Sequence, residues 1–160
     1  MRTRQAVGAI VTYKHRFLIV HKTKMNTKAG QESQGETWDF VKGGVEDEDR
    51  DVEASIRREL LEETGSVKYK LMKRFDESIT FEFPAEVQCK IGYHNQVIPM
   101  FHYEYEGDEQ DLSPLDKEID QLRFVGEKEL LLMLKHPETQ EFIKQANFER
   151  KNSKDFKKEV

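Results

Sequence analysis

Residues 44–65 read Gly-Val-Glu-Asp-Glu-Asp-Arg-Asp-Val-Glu-Ala-Ser-Ile-Arg-Arg-Glu-Leu-Leu-Glu-Glu-Thr-Gly. Val52, Ile56 and Leu60 recur every four residues, which predicts a helix over about Asp51–Thr64 with an apolar stripe toward a core. Asp49 or Asp51 can cap its first turn. Gly65 is placed to stop it in a left-handed turn. Glu59, Glu62 and Glu63 then fall on one helical face, because residues three and four apart are neighbours. Like charges packed that closely are unfavourable unless a cation sits among them. Hard divalent cations such as Mg²⁺ take oxygen ligands and commonly share them with substrate phosphates. The helix therefore predicts a metal, and the metal predicts phosphate chemistry.

Outward from this helix, Trp38-Asp39-Phe40-Val41 reads as a short strand running into Lys42-Gly43-Gly44. Ala6–Thr12 and Phe17–Val20 are apolar runs around a polar turn, a hairpin or two neighbouring strands. Residues 22–36 have almost no apolar anchor and read as a mobile loop. Val67–Phe83 predicts one or two strands, and Gln96–Glu106 and Gln121–Val125 two more. Gly107–Lys117 is an acidic loop. Helices are expected over Glu127–Leu134 and Pro137–Phe148. Few helices among many strands imply an α+β fold or mixed-sheet sandwich.

The 160 residues suit one domain, expected over 1–148, with a charged tail over 149–160. The net charge of −5 opposes high non-specific affinity for nucleic acid, so no stable DNA binding is expected. No stretch reaches membrane-spanning length. The single cysteine, Cys89, excludes an intrachain disulfide and fits a cytoplasmic location. Its setting, Val87-Gln88-Cys89-Lys90-Ile91, looks strand-like and structural. The five histidines show no paired zinc-ligand spacing. Gly43-Gly44 is not a phosphate-binding Walker loop, since no Gly-Lys-Ser/Thr follows.

The 44–65 stretch resembles the Nudix box: Gly, five residues, Glu, seven residues, Arg-Glu, an aliphatic, any residue, Glu-Glu, any residue, Gly, an aliphatic. Gly44, Arg58, Glu59, Leu60, Glu62, Glu63 and Gly65 match; Arg50 replaces the first Glu and Ser66 the last aliphatic. A chance match of that quality is on the order of one in a million at ordinary residue frequencies. The other reading of the helix, a solvated acidic face, leaves the flanking glycines unexplained. The resemblance implies the Nudix fold, a mixed β-sheet sandwiched between α-helices, and Mg²⁺-dependent hydrolysis of a phosphoanhydride, with Mn²⁺ as a substitute.

It also implies roles. Glu59, Glu62, Glu63, Glu118 and a backbone carbonyl at Gly43 would hold metal. Arg58 would orient a carboxylate. One of Glu62, Glu63 or Glu118 would take a proton from water, Glu62 being favoured. Arg50 would bring like charge toward Arg58, and Glu46, Glu48 or Asp49 could stand in for the missing Glu. Beyond the box, residues 4–11, 38–44 and 118–125 are similar to the bacterial RNA 5′-pyrophosphohydrolase and dinucleoside polyphosphate hydrolase branch. That similarity assigns Arg4, Lys42 and Phe83 to substrate, with Phe83 alternatively a core aromatic and Glu118 alternatively a surface residue. His21, Lys22, Lys24 and Lys28 could close over phosphates or form a solvated loop. The expected partner is a nucleotide or an RNA 5′ end. An oxidised-dNTP pyrophosphohydrolase, and a nucleotide sensor that keeps the fold without turnover, are the alternatives.

Overall fold

A computed structural model describes residues 2–27 and 30–146, with side chains of 24–36 outside the description. The elements run β1 (Arg2–Tyr13), β2 (Arg16–Thr27), β3 (Gly30–Asp39), β4 (Val41–Gly44), α1 (Val52–Thr64), β5 (Tyr69–Glu82), α2 (Ala85–Ile91), β6 (Tyr93–Tyr105), β7 (Ile119–Val125), α3 (Glu127–Met133) and α4 (Pro137–Ala146). One seven-stranded mixed sheet has the path β3-β2-β1-β6-β5, with β4 on β1 and β7 on β2. β1 and β6 are parallel and the other pairs antiparallel.

β1 explains the layering. Ala6–Val11 is almost continuously apolar and buried because both sheet faces are covered. Val7, Ala9 and Val11 join Ile56 and Leu60 of α1 in one core cluster. Ala6 and Ile10 join Leu130 of α3, Leu134 just beyond it, and Ile143 of α4 in the other. Alternate side chains of one strand thus seat helices on opposite faces. The expected sandwich of a mixed sheet between helices is what the chain forms.

The β1–β2 hairpin turns at Lys14 and His15, both with positive φ, 51° and 63°. Such a turn matches the twist of paired strands. α1 starts at Asp51, whose carboxylate accepts the Ala54 N–H, and ends at Gly65 with φ 74°. A Cβ at Gly65 would lie 2.2 Å from the Ser113 carbonyl oxygen. The loop after β6 folds back over this end of α1. Ser113 N–H donates to Thr64 O at 2.9 Å, and Leu115 and Asp116 N–H to Glu62 O at 2.8 and 2.9 Å. These bonds satisfy carbonyls that a helix end leaves open. They also bring the Asp116–Glu118 turn up to the acidic ridge.

Two expectations are corrected. The backbone over 22–27 and 30–36 is not a loop: β2 and β3 continue as paired strands, with Lys24 opposite Ser33 and Thr27 opposite Gly30. These residues carry no apolar alternation, so hydropathy gave no sign of the strands. Lys28 lies outside the described residues. Cys89 sits on α2, not on a strand, and is exposed. Pro84 begins that helix and Gly92, at φ 83°, ends it.

Candidate active site

α1, β4 and the start of β1 meet at the acidic ridge. Ser55, Ile56, Glu59, Leu60, Glu63 and Thr64 form the buried side of α1. Glu59 and Glu63 are therefore held inside the protein, 8% and 3% exposed, by the same packing that buries Leu60. Glu62 stands at the ridge's half-exposed edge. Gly43 of β4 packs directly on Glu59: a Cβ there would lie 1.9 Å from the Glu59 carboxyl carbon. Only glycine allows that approach.

Arg58 ties this cluster to the preceding loop. Its Nε donates to Asp49 Oδ1 at 3.1 Å and its Nη2 to Asp49 Oδ2 at 2.9 Å. Nη2 also donates to the Gly44 carbonyl at 3.0 Å, and Nη1 to Glu59 Oε1 at 2.9 Å and Glu62 Oε2 at 3.4 Å. Asp49 further accepts the Glu46 N–H at 2.9 Å and the Ser55 hydroxyl at 2.7 Å. These bonds, Arg58 foremost, hold the Asp49 carboxyl well below the ordinary carboxylate range. Asp49 is thus the stand-in for the missing box glutamate. Glu46 approaches Arg58 only to 3.5 Å, with its own side chain mostly in water. The expectation that Arg50 crowds Arg58 is corrected: its side chain is 90% exposed and faces Asp51 at 3.9 Å. Ser66, at the box's closing aliphatic position, is buried, and its hydroxyl accepts the Lys68 N–H at 3.1 Å.

Burial raises the carboxyls of Glu59 and, more strongly, Glu63 above the usual glutamate range. Glu59 and Glu63 also hydrogen-bond each other, while Glu63 Oε1 is buried with no hydrogen-bond partner. Among the described residues, no three His, Cys, Asp or Glu side chains already converge as a closed metal site. The donor set nevertheless fits a hard divalent cation. It is all oxygen, one oxygen is orphaned, and the glycine backbone lies against Glu59.

These shifts fix a pH dependence. Between the ordinary and the raised value, folded protein keeps protons that the unfolded chain has released. Each step up in pH across that window therefore favours unfolding. In a chelator, the melting temperature is expected to fall as pH rises above the ordinary glutamate range through this contribution, and Glu63→Gln should flatten the fall. A slope in the variant as steep as the parent's would remove Glu63 as its source.

Arg4 approaches from β1. Its Nη1 donates to Gln96 Oε1 on β6, and its Nη2 lies 2.9 Å from where a Gly44 Cβ would stand. Burial lowers its pKa, opposed by the charges of Glu59 and Glu118. Gln96, buried, is a positioning residue that the sequence did not single out. Glu118 is held by its backbone: Thr23 N–H donates to its carbonyl at 3.0 Å, and its own N–H donates to Asp116 Oδ1 at 2.9 Å. Its charge acts on both Arg4 and Lys22.

Lys42 of β4 is buried. Its ammonium lies 3.1 Å from Asp39 Oδ1 and 3.1 Å from Thr139 Oγ1. It ties α4 to β4. Asp39, Thr139 and nearby His136, whose pKa burial lowers, carried no sequence signal as a group. Phe83 lies just past β5, edge-on to Phe81 at 5.4 Å, and Phe81 stacks on His136 at 5.6 Å. A groove of about 290 Å³ beside β5 and α4, lined by Lys73, Phe75 and Phe142 among others, shares no residue with the ridge.

Gly43→Ala is expected to displace the Glu59 carboxylate and weaken divalent-cation binding about tenfold or more, the scale of a disturbed ligand support. Titration with Mn²⁺ followed by electron paramagnetic resonance reads this directly. Unchanged affinity would show that the close approach is not needed.

Comparison with known proteins agrees with this architecture. The family profile of the NUDIX domain matches residues 2–146. An RNA pyrophosphohydrolase of Caulobacter vibrioides is 40% identical over 88 residues, 52% of this chain and 49% of that protein. The match thus spans about half the length of that curated relative. An RNA pyrophosphohydrolase of Bartonella clarridgeiae is 27% identical over 136 residues, 79% of this chain and 78% of its own. In fold, the C. elegans Ap4A hydrolase binary complex superposes with TM-score 0.68 at 14% identity, covering 91% of this chain and 96% of that one. Among the described residues, no helix is long and apolar enough to cross a membrane. With the box arginine, three of its four glutamates and both flanking glycines in place on a matching fold, the chain belongs to the Nudix hydrolase family.

Proposed function

We propose that this protein is a Mg²⁺-dependent pyrophosphohydrolase, able to use Mn²⁺, that cleaves a phosphoanhydride bond in a nucleoside diphosphate-linked substrate. A 5′-triphosphorylated RNA end or a dinucleoside polyphosphate fits best, and the site of action is the cytoplasm. The observation that carries the reading is the carboxylate ridge packed on Gly43, with Glu63 Oε1 buried and unpartnered. The substrate class is supported by the name of the Caulobacter vibrioides relative and by the Ap4A hydrolase fold.

Glu59, Glu62, Glu63, Glu118 and the Gly43 carbonyl would hold the cation. Its chemistry there is neutralisation of phosphate charge and a lowered pKa for water. Among the three box carboxylates present, Glu59 and Glu63 are buried and mutually bonded, whereas Glu62 is half exposed and meets Arg58. Glu62 is thus best placed to accept a proton. The oxygen of water bonds to phosphorus, the bridging P–O bond breaks, and one water proton passes to the Glu62 carboxylate. Arg4, steadied by Gln96, meets the phosphate oxygens. Phe83 and its neighbour Phe81 offer ring faces for a base. Asp49 holds Arg58 where the box glutamate is missing, which favours turnover over a sensor that only binds.

The test is product release from Ap4A, 5′-triphosphorylated RNA, dGTP analogues and nucleotide sugars, with Mg²⁺ or Mn²⁺. Turnover is expected on at least one of the first two. Binding without release on every member would favour a sensor.

A further inference from the structure

Lys22 sits where β2 breaks register with both neighbours. Against β7, His21 faces Gln121 and Lys22 faces Ile119, so Asp120 is skipped. Against β3, the pairing shifts between Lys22 and Lys24. Such irregularities re-aim side chains beside active sites. Here the Lys22 ammonium reaches the Lys42 carbonyl, Nζ to O 3.4 Å, one residue before Gly43. The next residue, Thr23, binds the Glu118 carbonyl through its N–H and, at 3.4 Å, its hydroxyl. Lys22 therefore lies between two segments assigned to the cation cradle.

The acidic groups that act on Lys22 are Glu63 first, then Asp39, Glu59 and Glu118. Arg58 attends Glu59 and Glu62, and Asp39 has Lys42 at 3.1 Å. Glu63, whose Oε1 lacks a hydrogen-bond partner, has Lys22 as the foremost cation acting on it. A lysine near a protein surface ordinarily extends its head toward water. This one is turned toward the ridge.

We propose that the Lys22 ammonium is the internal counter-ion of the carboxylate cradle: it competes with the divalent cation there and turns to a substrate oxyanion once the cation binds. This rests on the reading of the ridge as a cation site. Two positive charges in one cluster repel, so a divalent ion entering beside Glu63 disfavours the ammonium in its present place. The four-carbon stem is flexible enough to let the head move. A phosphate chain is then its natural partner. The chain's own lysine would thus make cation and nucleotide binding mutually reinforcing, since each relieves a cost that the other meets.

The test is Mn²⁺ titration of the whole chain, without nucleotide, read by electron paramagnetic resonance. Removing the internal competitor with Lys22→Met is expected to tighten Mn²⁺ binding about fivefold to tenfold, the scale of one unit charge acting through a partly screened path. Lys22→Arg, which keeps the charge, should stay within about twofold of the parent. A non-hydrolysable nucleotide analogue should tighten Mn²⁺ binding in the parent and do so less in Lys22→Met. A lysine that only touches phosphate would leave the nucleotide-free affinity unchanged, and one that only braces the fold would weaken it. Either result overturns the proposal. Lys22→Gln is read in the same way if Lys22→Met does not fold. Absence of saturable Mn²⁺ binding in parent and variants alike would sink the cradle reading, and this inference with it.

Discussion

Glu62→Gln is expected to leave the protein folded and able to bind nucleotide, yet to lower turnover by at least about a hundredfold, the scale of a positioned base. The fold is safe because the Glu62 side chain is half exposed and holds no core contact. The helix-end bonds at this position run to its backbone carbonyl, which the substitution keeps. The amide is nearly isosteric but cannot take the proton from water. It also supplies only one oxygen where the carboxylate supplies two, so metal affinity should fall less than turnover does. Single-turnover kinetics on whichever substrate proves active separates the two losses. A near-parental rate at saturating Mg²⁺ would pass the proton-accepting role to Glu63 or Glu118.

The second large effect is expected at Asp49, outside the box's defined positions. Asp49→Ala removes two bonds to Arg58, one to Ser55 and one to the Glu46 backbone at once. Breaking one partner of a substantially desolvated pair strands the other, and the expected loss is about 2–3 kcal/mol of stability. Turnover should fall as well, since Arg58 would then be free to lean on Glu59 and Glu62. Asp49→Glu, which restores the charge at a different reach, should recover part of the stability and less of the activity. The sign with pH is opposite to that of Glu63. The Asp49 pKa is lowered by folding, so its contribution is present above the ordinary carboxylate value and is lost as pH falls below it. Denaturation of parent and Asp49→Ala at about pH 7 and about pH 3 should show the gap narrowing at the lower value. An equal gap at both would mean that Asp49 works through packing.

The parts legible in sequence were those with local cause. α1 declared itself through a cap at Asp51, a four-residue apolar stripe and a stop at Gly65, all within one turn of where the structure has them. The ridge followed from that helix alone. The Asp49–Arg58 pair was legible as one of three choices, because charge narrows the candidates and only the fold of the 45–51 loop decides among them. The bond from Lys42 to Thr139 was not legible because Thr139 is 97 residues away, on a helix whose docking no local pattern reveals. Gln96, 92 residues from Arg4, was missed for the same reason. The β2–β3 pairing over 22–27 and 30–36 was missed because these residues carry no apolar alternation. Val-Gln-Cys-Lys-Ile around Cys89 alternates like a strand, yet Pro84 and Gly92 enclose a helix of 7 residues.

Everything chemical in this account depends on the side chains of Glu59, Glu62 and Glu63 gathering around a divalent ion beside Gly43. Anomalous diffraction from crystals of the protein soaked in Mn²⁺ examines that directly. The account predicts an anomalous peak bounded by Glu59, Glu63 and the Gly43 carbonyl. A protein that hydrolyses its substrate while its crystals show no peak there, or show one only elsewhere, would contradict it.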